Sequence, residues 1–342
     1  MNLNTQNHTH KRYNILTGEW VLVSPHRSKR PWQGQQEDDI ASERPSYDKN
    51  CYLCSGNKRA NGEINPNYND VFVFINDFSA LEEDSKSFSI NDGLLKAESE
   101  QGICKVVCFS ADHSKSLAQM SVKAIQQVVH TWRHEFKSLS RKENINYIQI
   151  FENKGAIMGC SNPHPHGQIW SQLTLPNEIL KKDIKQLNYF KTNNKTLLED
   201  YVQQEIKQKE RVIFENRAFV IVVPFWAIWP FETMIIPKKA ERDISYLSQD
   251  DSLLFAEAIK VLTKAYDNLF NCSFPYSNGI HQAPTNGENN EHWHWHMSFY
   301  PPLLRSATVK KFMVGYEMFA GPQRDITPES ATNTLKNLLN RY

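Results

Sequence analysis

The feature that most constrains this chain is one structural unit written twice. In the first half, VFVFINDFSA (71–80) is followed by KVVCFSADHSKSL (105–117) and then by a segment in which Met120, Ala124, Val128, Val129, Trp132 and Phe136 recur at helical spacing. YIQIFEN (147–153) and NPHPHGQIW (162–170) complete the set. In the second half AFVIVVPFWAIWPFE (218–232), FETMIIPKKAERDI (231–244), an amphipathic stretch over 251–270 and HWHWHMSFY (292–300) follow in the same order. Strand and helix periods recurring in one order predict a duplicated strand, strand, helix, strand, strand unit. The expected fold is α+β: a single domain of two pseudo-repeats, 1–175 and 211–342, joined by a helical surface linker over 176–210.

Composition narrows the function classes. The 342 residues suffice for a sizeable core. With 39 basic and 38 acidic residues the net charge is +1, so no positive excess marks the chain for nucleic acid or an anionic membrane. The polar start MNLNTQNHTHKRYN lacks the apolar run of a secretory signal, and no later run is long enough to span a bilayer, so a cytoplasmic protein is expected. Six cysteines are too sparse for a disulfide scaffold, and Cys51-x-x-Cys54 points to metal or redox chemistry.

The most informative segment is GCSNPHPHGQIW, residues 159–170. In an extended strand His164, His166 and Gln168 project to one face, with Pro165, Gly167 and Ile169 on the other. Three polar groups on one side are costly unless they meet a metal, a ligand or each other. Pro165 removes a ladder donor, which predicts an edge or irregular strand open to a ligand. Gly159, Ser161 and Asn162 are small enough for their backbone to approach a phosphate.

NPHPHGQIW, with ENKGAIMGCS before it, resembles the signature of the galactose-1-phosphate uridylyltransferases of the histidine-triad superfamily, and the likeness runs from RYNILTG to YPPLLRSATVKKFMVGYEMF. The resemblance implies a histidine-triad-like unit, its sheet shaped as a half-barrel. It implies that His166 attacks the α-phosphorus of UDP-glucose, releases glucose 1-phosphate and passes the uridylyl group to galactose 1-phosphate. A neutral imidazole suits that role. Gln168 has no proton to shuttle and can only hydrogen-bond phosphoryl oxygens, which favours transfer over hydrolysis. The second repeat sets Ser298 against His166 and Tyr300 against Gln168, so one nucleophile per chain is expected. The rival reading is another histidine-triad nucleotidyltransferase, such as a dinucleoside polyphosphate phosphorylase.

Zinc is implied at Cys51, Cys54, His113 and His164, a Cys2His2 set that would pin the N-terminal loop to the nucleophile strand. Relatives hold a second metal, iron or zinc, through a glutamate and three histidines. Here His281 and His296 match, but Lys182 and Ser298 stand in the other two places, so that site is expected to be empty or rebuilt from His292, His294, His296 and Asp183. The resemblance also implies uridine contacts at Asn76, Asp77 and Phe78, phosphate and nucleotide contacts at Asn153, Gly159 and Ser161, and phosphate neutralisation by Arg27 and Arg30. Lys311, Phe312, Val314, Tyr316, Glu317 and Gln323 would meet the sugar phosphate across a homodimer with shared active sites.

Overall fold

The computed structural model describes residues 8–29, 44–304 and 306–339. Chain order gives β1 (His10–Tyr13), β2 (Trp20–Val23), β3 (Phe72–Ile75), β4 (Ser89–Asp92), β5 (Leu95–Glu98), β6 (Gly102–Cys108), α1 (Val122–Leu139), β7 (Tyr147–Lys154) and β8 (His166–Gln172). Helices α2 (Asn177–Asn193) and α3 (Leu197–Gln208) lead into β9 (Val212–Glu215), β10 (Phe219–Val222), β11 (Thr233–Pro237), α4 (Gln249–Leu269), β12 (Tyr276–His281) and β13 (His296–Tyr300). The chain closes with α5 (Tyr316–Phe319), β14 (Gln323–Arg324) and α6 (Pro328–Leu339).

Nine strands form one open antiparallel sheet in the order β3-β6-β8-β7-β12-β13-β11-β10-β9. The order reads as two copies meeting back to back: β3-β6-β8-β7 is mirrored by β10-β11-β13-β12, with β9 added at the far edge. The seam is the β7–β12 pairing, which sets Phe151 against Gly279 and Asn153 against Ser277. This is the duplicated, mostly antiparallel α+β arrangement that the repeat predicts.

Each repeat lays its helix on the same face of the sheet. Ser121 caps α1 by accepting the N–H of Ala124, and Ser248 caps α4 by accepting that of Asp251, each satisfying a donor that the first turn leaves unpaired. The apolar stripes of both helices then bury Val128, Trp132, Phe255 and Ile259 against Ile148, Ile169, Ile280 and Met297 in one continuous core. Because successive strand residues alternate in direction, the opposite face is left for His166, Gln168, His281 and His296. A second sheet, β1-β2-β14, joins the two ends of the described chain. Arg12 and Glu329 tie it down through a two-pronged ion pair at 2.8 and 2.9 Å.

Candidate active site and metal cluster

Burial alternates along β8, with His166, Gln168 and Trp170 half-buried and Gly167, Ile169 and Ser171 buried. The edge strand expected from Pro165 is not formed: β8 runs between β6 and β7. Pro165 stands just ahead of the first ladder residue, so its missing N–H takes nothing from the ladder and a central strand tolerates it. Its carbonyl accepts the N–H of Phe109 at 2.8 Å. Gly167 is required by packing, since a Cβ there would lie 2.8 Å from both the Phe109 ring and the Phe151 carbonyl oxygen.

His166 Nδ1 lies 2.7 Å from the His164 carbonyl oxygen. A carbonyl can only accept, so Nδ1 carries the proton and Nε2 keeps its lone pair. Burial lowers the pKa of His166, against the opposing effect of that carbonyl, and the ring is held neutral. Trp170 Nε1 donates to Gln168 Oε1 at 2.9 Å, leaving the amide NH2 as the end that Gln168 can offer to an oxyanion. The pairing of β7 with β8 runs as far as Phe151↔Gln168, and two residues further along β7 Asn153 Oδ1 accepts from Ser277 Oγ at 2.6 Å. Gly159, at φ 78 in the left-handed region, and Ser161 lie exposed in the turn ahead of His166.

Cys51, Cys54, His113 and His164 come together, all buried, with one ligand atom from each within 4.8 Å of the rest. Cys54 Sγ is 3.5 Å from His113 Nδ1 and 3.6 Å from His164 Nδ1, and the two Nδ1 atoms are 3.4 Å apart. Bonds of about 2.0–2.1 Å to nitrogen and about 2.3 Å to sulfur imply tetrahedron edges of about 3.3–3.8 Å, which the three distances among Cys54, His113 and His164 match, and Cys51, within 4.8 Å of the others, supplies the fourth donor that a metal such as zinc takes. Burial lowers both imidazoles, His164 to about 4, which keeps them as neutral ligands. Burial also pushes the Cys54 thiol up to about 11, so a thiolate here needs a cation beside it. The other face of His164 is fixed by the Ser110 carbonyl at 2.9 Å from Nε2, the outer partner a metal-bound histidine ordinarily has. Tyr68, Phe72 and Phe74 stack over the cluster with Val106 and Cys108.

Among the other predicted contacts, Asn76 caps its own turn by accepting the N–H of Phe78 at 3.0 Å. Asp77 is turned towards Arg59 at 3.6 Å, and the Phe78 ring is 80% exposed. Arg27 and Gln323 converge on one carboxylate, with Asp325 Oδ1 accepting from Arg27 Nε at 3.2 Å and from Gln323 Nε2 at 2.6 Å. Lys311 bonds Glu317, while Phe312, Val314 and Tyr316 are exposed. Among the described residues no hydrogen bond or ion pair joins 311–323 to His166 or Gln168. Arg30 lies outside the described residues. His281 and His296 are cross-strand partners with stacked rings. The rebuilt set is not assembled: His292 bonds Asp183 at 2.7 Å, and His294 is held by Thr196 at 3.1 Å and the Pro237 carbonyl at 2.8 Å.

Three residues gain roles that sequence reasoning did not assign. Trp170 aims Gln168, and its signal was its place two residues along on the same strand face. Arg59 lies over the Phe74 ring at 4.3 Å, with no sequence signal beyond its charge. Asn162 Oδ1 accepts the N–H of His164 at 2.9 Å and lies 3.5 Å from Cys51 Sγ, so one amide links the Cys51 loop to the backbone just ahead of His166.

Comparison with known proteins gives a consistent picture. The family model for the galactose-1-phosphate uridyl transferase N-terminal domain matches residues 1–176, and that for the C-terminal domain matches 182–342. The galactose-1-phosphate uridylyltransferase of Haemophilus influenzae is 52% identical over 332 residues, covering 97% of this chain and 95% of that protein. A solved uridylyltransferase superposes with a TM-score of 0.77 at 24% identity, over 98% of this chain and 99% of its own. An ADP-glucose phosphorylase from Arabidopsis thaliana shares the fold at a TM-score of 0.76 and 24% identity, over 96% of this chain and 99% of its own.

Proposed function

The chain belongs to the galactose-1-phosphate uridylyltransferase family of nucleotidyltransferases, and from that premise we propose that it exchanges uridylyl between UDP-glucose and galactose 1-phosphate through a covalent bond to His166. The observation that carries the reading is the His164 carbonyl 2.7 Å from His166 Nδ1, which leaves a neutral Nε2 as the nucleophile. Nε2 attacks the α-phosphorus, the bond to the glucose 1-phosphate oxygen breaks, and uridylyl-His166 remains. The phosphate oxygen of galactose 1-phosphate then attacks the same phosphorus and restores the neutral ring. The Gln168 NH2, aimed by Trp170, hydrogen-bonds the oxygens that gain charge in both steps.

The four-ligand cluster holds zinc in this reading, and Cys51, Cys54, His113 and His164 serve as its anchors. The ion's chemistry is structural: it joins the loop around Cys51 to the backbone that fixes the His166 tautomer. The exposure of Phe312, Val314, Tyr316, Met318 and Phe319 supports a homodimer in which this segment meets the neighbouring chain's site. A reducing, cytoplasmic setting would keep Cys51 and Cys54 available as thiolate ligands. Among the described residues no helix is long and apolar enough to cross a membrane.

The test is to incubate the protein with UDP-glucose labelled at the α-phosphorus and isolate an acid-labile, base-stable protein adduct. His166→Ala should carry no label, and galactose 1-phosphate should discharge the wild-type label as UDP-galactose. Label persisting in His166→Ala refutes this nucleophile. Discharge by inorganic phosphate alone assigns the chain to phosphorolysis.

A further inference from the structure

The C-terminal repeat holds a second histidine pair. His281 and His296 face each other across β12 and β13, their rings stacked with centroids 4.9 Å apart and planes 25° apart. His296 is sealed from solvent, yet His281 Nδ1, His281 Nε2 and His296 Nε2 have no hydrogen-bond partner. Leaving such groups unmet is costly, so the pair calls for a positive charge to set against its lone pairs. Among the described residues no third cysteine, histidine or carboxylate converges with these rings, and the one ligand group of that kind is the Cys51 cluster. The residues present therefore do not fit the second metal that the family implies.

Lys182 is buried on the helix that is bonded to this histidine strand. Helix α2 buries Ile179, Lys182 and Gln186, and its register on the histidine strand is fixed at two points. Gln186 Oε1 accepts the N–H of His294 at 3.3 Å, and Asp183 Oδ1 takes His292 Nε2 at 2.7 Å and Trp293 Nε1 at 2.6 Å. Lys182 is 5% exposed, and the nearby Glu178 and Glu232 act on it from beyond ion-pair distance. Burial lowers the pKa of both His281 and His296, and the positive charge of Lys182 lowers them in the same direction.

We propose that the Lys182 ammonium is the resident cation of this second site, setting its positive charge against the lone pairs of His281 and His296 so that the C-terminal repeat needs no metal ion. The two departures from the family's pattern then form one change. Losing a carboxylate at 182 and an imidazole at 298 removes two ligands, and the lysine supplies a charge that the chain itself carries. An ammonium has three donors and no lone pair, so it complements neutral imidazoles and repels a divalent ion.

The test counts ions per chain after loading with Zn2+ or Fe2+ and desalting, comparing wild type with Lys182→Glu/Ser298→His. Because the result is read as a difference, it does not depend on the cysteine cluster or on uridylyl transfer. Restoring the carboxylate and third imidazole should add about one ion per chain. No gain, or a wild type that already binds two ions, overturns the proposal. If the double variant does not fold, Lys182→Met decides: its unfolding midpoint should fall by at least about 2 °C at unchanged metal content, and an unchanged midpoint overturns the proposal.

Discussion

Asn162 Oδ1 and the backbone N–H of His164 are joined by a 2.9 Å hydrogen bond, and one hydrogen bond further along the same path stands the His166 ring. The His164 carbonyl accepts from His166 Nδ1, while the His164 side chain belongs to the Cys/His cluster that could hold a metal. One residue thus serves the cluster with its ring and the proposed nucleophile, His166, with its backbone. Two histidines separated by a single proline make this possible, because the segment turns between them and only His166 enters the ladder.

Asn162→Ala removes the acceptor and leaves a buried N–H unmet, at a cost of about 1–3 kcal/mol. It also frees the His164 backbone to drift. We expect kcat to fall by about 10–100-fold, as for other partners that orient ligands, with the KM for UDP-glucose little changed. Steady-state kinetics check this, and a rise in KM with kcat intact would count against a positioning role.

Gln168→Ala removes a donor aimed at developing negative charge, which costs about 10²–10³-fold in kcat. Trp170→Phe keeps the amide but frees its orientation, so a smaller loss in the same direction is expected. Single-turnover labelling by UDP-glucose separates the two steps, and both variants should slow the formation and the discharge of the adduct.

The strand face of His166 and Gln168 was legible because a period of two lies within a few adjacent residues, and the duplicated topology because each repeat restates one order of elements. The position of β8 was not. Pro165 argued for an edge, but whether a missing N–H harms a ladder depends on where pairing starts, and tertiary contact between Pro165 and Phe109 fixes that. The Arg27–Asp325–Gln323 meeting was equally invisible, since it joins opposite ends of the chain through the parallel pairing of β2 with β14. The Cys51 cluster was named only through the family's pattern, because Cys-x-x-Cys alone supplies half a tetrahedral site.

Metal retention should depend on pH in a definite direction. Binding requires deprotonated thiols, and burial without a cation favours the protonated form of Cys54, so binding releases protons and affinity falls as pH falls. Cys51→Ser should lose about one ion per chain and unfold at a lower temperature. Zinc content measured against pH and in the variant checks both, and unchanged zinc in Cys51→Ser would remove that residue from the ligand set.

The acid limb of activity follows from His166. Burial lowers its pKa below the ordinary value of 6.5, against the opposing effect of the His164 carbonyl, so a nucleophilic Nε2 would be lost to protonation at a midpoint below 6.5. The acid limb of kcat/KM for UDP-glucose should therefore be centred below 6.5. An acid limb centred at or above 6.5 would contradict a nucleophile kept neutral by burial.

Glu152 gives a stability test at the seam between the repeats. It accepts from Asn278 Nδ2 at 2.6 Å, and burial raises its pKa from 4.5 to about 7, only partly opposed by Lys154 and Asn278. The unfolded chain loses this proton near 4.5 while the folded chain keeps it to about 7, so the unfolded state binds fewer protons across that window. Stability contributed by Glu152 is present below about 4.5, declines as pH rises, and levels off above about 7, a span on the order of 3 kcal/mol. Glu152→Gln keeps an acceptor for Asn278 and cannot ionise. Its denaturation free energy should exceed that of wild type at pH 8 and approach it at pH 4.5, narrowing the difference as the medium is acidified. A pH-independent difference between the two proteins would show that the carboxyl of Glu152 is not what titrates at this seam.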